Sequence, residues 1–365
     1  THSRNSIKKW HTIWGLDRTL LHGSLHCCLD AAFLIYWISW MPYKFNDARR
    51  HKFEKKRYRI TNWAAYNESL RQRGDVTVWL SSEVEALWRA ERRKTRGGQP
   101  TYSDLAITVC LTLGLVYKQP LRQTEGFVCS LVKLMGVDIC VPDFSTFSRR
   151  RSGLDLPLKS RSDKASPIHL VVDSTGLKIF GEGEWLQSKH KTKAKGKSWR
   201  KLHLGLDLVT GEIVCSDLTT DGVGDPAALP ELLDQIDGYV SRFIADGAYD
   251  GTPTSDLLVK LFGIDVEIII PPPKTAVLSA KAAVNPTLRD QRISAIRSGG
   301  RIAWQVSSGY NQRSRAETQM GRWKMVIGPK LKARSFPNQR TETKIGTHIL
   351  NKMTALGRAK FELAA

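Results

Sequence analysis

Acidic residues are scarce in this chain. Its 365 residues carry 35 Asp plus Glu against 56 Lys plus Arg, for a formal net charge of +21 and a pI near 9.8. A field of that sign selects polyanionic partners, nucleic acid first and anionic membrane second. Paired cysteines are lacking as well. Cys27, Cys28, Cys110, Cys129, Cys140 and Cys215 form no C-x-x-C pair and show no Cys/His metal spacing, which excludes the common zinc layouts. Cys110 and Cys129 sit in apolar runs, where cysteine behaves as a small hydrophobe, and the pattern fits a reduced cytosolic setting better than a disulfide scaffold. No apolar run is long enough for a bilayer. The densest, Ala31 to Met41, is too short, and His22, His26 and Asp30 interrupt any longer one, so no membrane partner is expected. There is no internal repeat and no long low-complexity tract.

What is present is a globular composition, 41% hydrophobic and 25% charged, in a chain long enough for two domains and an ample core. The positive charge comes in runs: KFNDARRHKFEKKRYR, RAERRKTR, SRRRSG and KHKTKAKGKSWRK. Clustering of that kind points to nucleic acid rather than to general solubility. Arg4, Lys8 and Lys9 precede the apolar run as in a signal peptide, yet no small-x-small cleavage site follows. The expectation is that Met41 is the natural start and that residues 1–41 are a read-through leader.

Residues 42–151 read as a basic arm followed by helices. Phe45, Phe53 and Tyr58 interleave with the cations of the arm. Ser82 and Glu85 have capping-box spacing ahead of VEALWRAERRK, a helical run ending at Gly97-Gly98. Ser103 caps a second helix, LAITVCLTLGLVYK, apolar nearly all round and therefore buried. Pro120 starts a third, which stops at Gly136. A turn then leads to a short helix, DFSTFSRRR, capped by Asp143 or Ser145. Helix, Gly-containing turn and short Ser/Thr/Arg-rich helix is the layout of a helix-turn-helix. In that reading Ser145, Thr146, Ser148 and Arg149 face the major groove, while Arg150 and Arg151 face the backbone; plain three-helix packing fits the same pattern.

Residues 152–166 are polar and read as a linker. Beyond them the pattern alternates strand and helix: IHLVVDST, the short extended piece GLKIF, WRKLHLGLDL, GEIVCSDLT, a Leu-rich helix from Asp225 to Ile236, FIADGAY, and VEIIIPPP stopped by its prolines. Three strands that can meander, then helix, strand, helix and strand, is the order of a ribonuclease-H-like mixed sheet. The expected fold is therefore α/β over residues 167–358, preceded by a small all-α region and followed by a tail, 359–365.

Three acids stand where they can converge. Asp173 ends or nearly ends the apolar strand IHLVVD, where a buried charge is costly without a cation. Asp246 follows FIA and precedes Gly247, where the backbone can turn sharply. Glu317 lies in YNQRSRAETQMGRWK, which places Tyr310, Arg313, Glu317 and Lys324 with two, three and six residues between them. On a helix turning about 100° per residue these four fall within roughly 60° of each other. Each acid alone also fits a bland role: Asp173 as a turn cap, Asp246 in an Asx-turn, Glu317 in an i−4 pair with Arg313. Asp207, Asp221, Asp225 and Asp250 are competitors, with Asp225 read as an N-cap beside Pro226. Lys189, Lys191, Lys193, Lys195, Lys197, Arg200 and Lys201 crowd one connection between strands. They read as a solvated hairpin tip or as a phosphate clamp with salt-dependent binding, and Trp199 as packing beneath it.

VVDSTGLKIFGEGEW, WRKLHLGLD, ADGAYDG and SGYNQRSRAETQMGRWK together resemble the catalytic core of DDE transposases of the insertion sequence 5 family, in its kanamycin-transposon-like branch. The resemblance runs from about Tyr58 to about Arg358. It implies that Asp173, Asp246 and Glu317 are the catalytic triad and hold two Mg²⁺ ions, for which Mn²⁺ substitutes. It also implies that Tyr310, Arg313 and Lys324 contact DNA phosphates or position the glutamate, and that Asp207 is structural. The partners implied are the terminal inverted repeats and target DNA, with a homodimer joining two ends at the nucleoid. Other readings are a transposase-derived repressor without catalysis, and a ribonuclease-H-like nuclease that joins nothing.

Overall fold

The computed structural model describes residues 57–80, 83–94, 96–158, 165–179, 199–280 and 282–364. Residues 1–41, most of the basic arm and Ser82 lie outside them. Residues 62–359 form one compact unit. Among the described residues a second unit consists of residues 57–61 and 360–364, in which Tyr58–Ile60 pairs antiparallel with Phe361–Leu363.

The helical region begins with Trp63–Gln72 (α1). The helix expected from VEALWRAERRK is only the turn Glu83–Ala86. Trp88 is buried and donates its indole N–H to the Cys140 carbonyl, and Arg89 bridges to Tyr102. Anchoring Trp88 pulls the chain out of helix, so tertiary packing overrides a strong local propensity. Asp104–Val116 (α2) forms as expected: the Ser103 hydroxyl accepts from Ala106 N–H, and eight of its residues are buried. Leu121–Met135 (α3) ends at Gly136, whose φ of 68° is the left-handed conformation that a Gly stop supplies. Phe144–Arg150 (α4) is capped by Asp143, which accepts from Thr146 N–H. Glu125 on α3 accepts from Phe144 N–H and fixes the entry to that short helix.

The sheet is built on Ile168–Ile179 (β1), with Trp199–Asp207 (β2), Ile213–Thr220 (β3), Val240–Ile244 (β4), Glu267–Ile269 (β5) and Lys330–Leu331 (β6). Among the described residues its order is β3-β2-β1-β4-β5, with β6 extending the far end of β1. β1, β2 and β3 are antiparallel neighbours, while β4 and β5 add in parallel. This is the expected ribonuclease-H-like mixed sheet. IHLVVDST and GLKIF are one 12-residue strand rather than two pieces: β2 pairs with it continuously from Leu170 to Lys178 on one edge, while β4 and β6 take its two ends on the other.

Helices cover both faces. Asp225–Leu233 (α5) and Thr252–Phe262 (α6) pack with Leu170, Val172 and Phe243 on one side. On the other, Val171, Leu177, Leu202 and Leu204 share a core with Trp88, Leu113 and Phe147 from the helical region. That core also takes in Ser314–Val326 (α9) and Phe336–Leu356 (α10), while Leu288–Gly299 (α7) and Arg301–Ser307 (α8) bridge β5 to α9. Alternating residues of β1 feed the two cores, which is why the strand reads as continuously apolar. Each fully buried Leu or Ile there contributes about 2–3 kcal/mol.

Two buried links set α9 and α10. Along α9 and its C-cap, Ala316, Met320, Trp323 and Ile327 form the inward stripe. A Cβ on Gly346 of α10 would lie 2.5 Å from the Trp323 ring, so glycine is what lets the two helices approach. The Glu342 carboxylate, 2% exposed, accepts from Lys332 N–H and Ala333 N–H and pairs with Arg151 at 3.1 Å. Arg151 is therefore a buried strut between α4 and α10, not the backbone-facing cation expected of it. Removing one member of such a pair costs about 3–5 kcal/mol.

Candidate active site

Parallel pairing brings the first two acids together. Val171 on β1 is in register with Ile244 on β4. Asp173 and Asp246 each lie two residues further on, and adjacent strands run about 4.8 Å apart. Asp173 is mid-strand rather than at a strand end as expected. Its parity with Val171 and Leu177 puts it on the face that α9 covers. Asp246 leaves the end of β4 and caps the turn Gly247–Tyr249 by accepting from Ala248 N–H at 3.0 Å. Its local Asx role and its place in the site are thus compatible.

Arg313 completes the connection. It donates Nη1–H to Asp173 Oδ2 at 2.9 Å and Nη2–H to Glu317 Oε1 at 2.8 Å. One guanidinium joins two acids separated by 144 positions in the sequence, while Ser174 N–H donates to the other oxygen of Asp173. The four signature residues do not share a single α-helix. Tyr310–Arg313 is a 3₁₀ turn entered through Gly309 at φ 72°, and α9 starts at Ser314. A 3₁₀ turn eclipses residues three apart, so Tyr310 and Arg313 still present one face. Trp304 on α8 packs its ring 5.8 Å from that of Tyr310 and backs the turn. Lys324 lies exposed two turns along α9.

The electrostatics match a site short of positive charge. Burial raises the Asp246 carboxyl above its ordinary range, and the neighbouring Asp173 adds to the rise. Burial alone would lower the Arg313 guanidinium, but Asp173, Tyr310 and Glu317 outweigh it and hold Arg313 above its usual value. Burial likewise raises the Tyr310 phenol, against Arg313 and with Asp246. Among the described residues no three His, Cys, Asp or Glu side chains converge closely enough to hold an ion together. The donors are nevertheless of the right kind: hard carboxylate oxygens from three elements, two of them already gathered by a cation.

The other acids have local duties. Asp207 is buried and accepts from His169, Val209 and Thr210, closing the β2–β3 turn. Asp225 is not the N-cap, which is Gly224; it pairs with Lys201 at 3.2 Å. Asp250 pairs with Arg289. The structure sorts the expected DNA-facing cations into several groups. Lys201 is tied to Asp225 and to the Val223 carbonyl. Arg200 donates to Gln339 and sits over the Phe336 ring. Arg150 is engaged with Asp104 and the Tyr102 carbonyl, while Arg149 is exposed beside Thr146. Lys195 and Lys197 lie outside the described residues. Trp199 packs, with Gly176 against its ring and the Lys178 ammonium 5.0 Å from it. Sequence reasoning missed Trp304 as the support for Tyr310 and Lys201–Asp225 as a neighbouring pair; neither has a local signature.

A family model described as a transposase DDE domain matches residues 164–352, just over half of the chain, and a second of the same description matches residues 71–182. Among solved structures, one similar chain is that of the piggyBac transposase in a synaptic complex with hairpin DNA. The two share 13% identity at a TM-score of 0.38, over 81% of this chain and 76% of that one. A likeness at that level carries no argument about this chain.

Proposed function

The chain belongs to the transposase DDE domain family, and from that premise we propose that it cuts and joins DNA at the ends of its own insertion sequence. The reading is supported above all by one observation: Arg313 bridges Asp173 on a strand and Glu317 on a helix, while the parallel pairing of β1 and β4 brings Asp246 alongside. Asp173, Asp246 and Glu317 are the residues that would hold Mg²⁺ or Mn²⁺. Bound there, such ions would supply activation of an attacking oxygen and charge stabilisation for the leaving oxygen of a phosphodiester.

The chain's own groups supply the rest. Ser174 N–H and Ala248 N–H each donate to one oxygen of Asp173 and Asp246 and leave the other free of that bond, so each carboxylate is oriented before any ligand arrives. Arg313 holds Asp173 in place. When DNA enters, its guanidinium is also the nearest fork for a phosphate, and turning to it frees both acids. Tyr310, with its phenol raised, stays protonated at neutral pH and acts as a hydrogen-bond donor rather than a nucleophile. Lys324, Arg149, Arg200 and Lys201, with Lys195 and Lys197, supply positive charge for the duplex. Binding of terminal inverted repeats and a two-copy synaptic assembly belong to the same proposal.

The test is strand nicking on DNA that carries the element's end. The wild-type chain nicks in Mg²⁺ or Mn²⁺, and Asp246→Ala binds the same DNA without nicking it. Equal nicking by Asp246→Ala would remove the mechanism.

A further inference from the structure

A cleft of about 830 Å³ lies between α2, α3, α4 and the segment leading into α10, on residues that the three-acid site does not use. Six cations line it: Lys118, Arg122, Arg149, Arg151, Lys332 and Arg334. The one carboxylate among its lining residues, Glu342, is already saturated by Arg151 and by the Lys332 and Ala333 N–H groups. The remaining cations face a space without a balancing anion in the wall. Beneath them the lining is apolar, with Leu111, Leu115, Leu121 and Phe144. Phe144 is 37% exposed, and the Arg122 guanidinium stands 4.5 Å from its ring centre.

Two polar atoms in the same wall are orphaned. Arg151 Nε and Asn338 Oδ1 are buried without a hydrogen-bond partner, and both residues line the cleft. Orphans of that kind call for a ligand or water, because leaving a buried donor or acceptor unmade costs about 1–3 kcal/mol.

We infer that this cleft binds an unpaired stretch of DNA, with phosphates on the cationic rim and a base against Arg122 and Phe144. An intact duplex fits less well. It keeps its bases stacked inside a phosphate surface, so the apolar floor and the aromatic face would gain nothing from it. Single-strand sites combine both features found here, a positive groove and a flat π or guanidinium face for stacking. The inference rests on the reading of the chain as a DNA-processing enzyme, in which cut ends present unpaired nucleotides.

The test needs no catalysis, so its failure is distinct from failure of the proposed function. In EDTA, fluorescence anisotropy follows full-length protein binding an oligothymidylate of about twelve nucleotides, within the usual single-strand site size, against a duplex of equal length. A 2-aminopurine placed in the single strand reports stacking. The double variant Arg122→Ala/Arg334→Ala is expected to weaken single-strand binding by about tenfold or more, the scale of one lost base contact, with duplex binding changed far less. Phe144→Ala is expected to remove the 2-aminopurine quenching. Should truncation disturb the helices, Ser148→Glu adds a carboxylate to the exposed cleft wall without removing any packing, and the same selective loss is expected. Parallel losses for single strand and duplex would mark a merely electrostatic surface and overturn the proposal, as would unchanged single-strand binding in folded variants.

Discussion

Arg313→Ala removes the one cation that holds two of the proposed catalytic acids, and the structure sets how unequal the two losses are. The Asp173 side chain is 14% exposed and Arg313 is 21% exposed, whereas Glu317 is 61% exposed. A charge-assisted hydrogen bond to a mostly buried carboxylate is worth about 1.5–3 kcal/mol. An exposed i,i+4 pair contributes only about 0.3–0.5 kcal/mol. The substitution is therefore expected to cost about 2–3 kcal/mol, or a fall in Tm of roughly 3–5 °C for a chain of this size. Urea denaturation of a double-mutant cycle separates the terms. Pairing Arg313→Ala with Asp173→Asn should show a coupling of about 1.5–3 kcal/mol, and with Glu317→Gln less than about 1 kcal/mol. Mn²⁺ should restore stability to Arg313→Ala more than it stabilises the wild type, since the ion replaces the missing charge between the acids. Coupling to Asp173 no larger than coupling to Glu317 would refute the claim that Arg313 organises the site.

Other consequences are independent of that bond. Because Asp246 has its carboxyl raised in the folded state, folding favours its protonated form. Its contribution to stability is fully present below the ordinary carboxyl range and is lost as pH rises through the folded value. Asp246→Asn keeps the cap on Ala248 and is expected to melt higher than wild type at neutral pH without divalent ions. That advantage should vanish as pH falls towards 4, near the carboxyl's ordinary 3.8, and pH-dependent thermal melts read it. Gly346→Ala drives a methyl into the Trp323 ring and should cost about 1–3 kcal/mol by overpacking; nicking should fall with it, because Trp323 seats the helix carrying Glu317. Arg151→Met leaves Glu342 charged and buried, so it should destabilise by about 3–5 kcal/mol while Arg151→Met/Glu342→Gln recovers part of the loss in the same denaturation assay.

Much of the fold was legible in the sequence because local and tertiary preferences agree there. Ser103, Pro120, Gly136 and Asp143 mark helix ends by their own backbone chemistry. The strand order followed from alternating apolar runs. Where tertiary contacts compete, the sequence misleads. VEALWRAERRK has helical spacing, yet seating Trp88 under Cys140 outweighs it. Arg151 stands in a run of surface-like arginines, and only the distant Glu342 makes it a buried strut. The candidate acids were findable because Asp173 interrupts an apolar run, Asp246 follows a strand end and Glu317 belongs to a spaced signature. The Arg313–Asp173 bond was not, since it spans 140 residues and depends on how a 3₁₀ turn meets a sheet.

Mapping a bound cation tests the central claim most directly. Fe²⁺ placed in the proposed Mg²⁺ site, with ascorbate and peroxide, would cut the polypeptide where the ion resides. The triad assignment predicts cuts clustered at Asp173, at Asp246 and around Arg313 to Glu317, suppressed by excess Mg²⁺ and lost in Asp246→Asn. Cuts elsewhere, or cuts indifferent to Mg²⁺ and to Asp246→Asn, would contradict it.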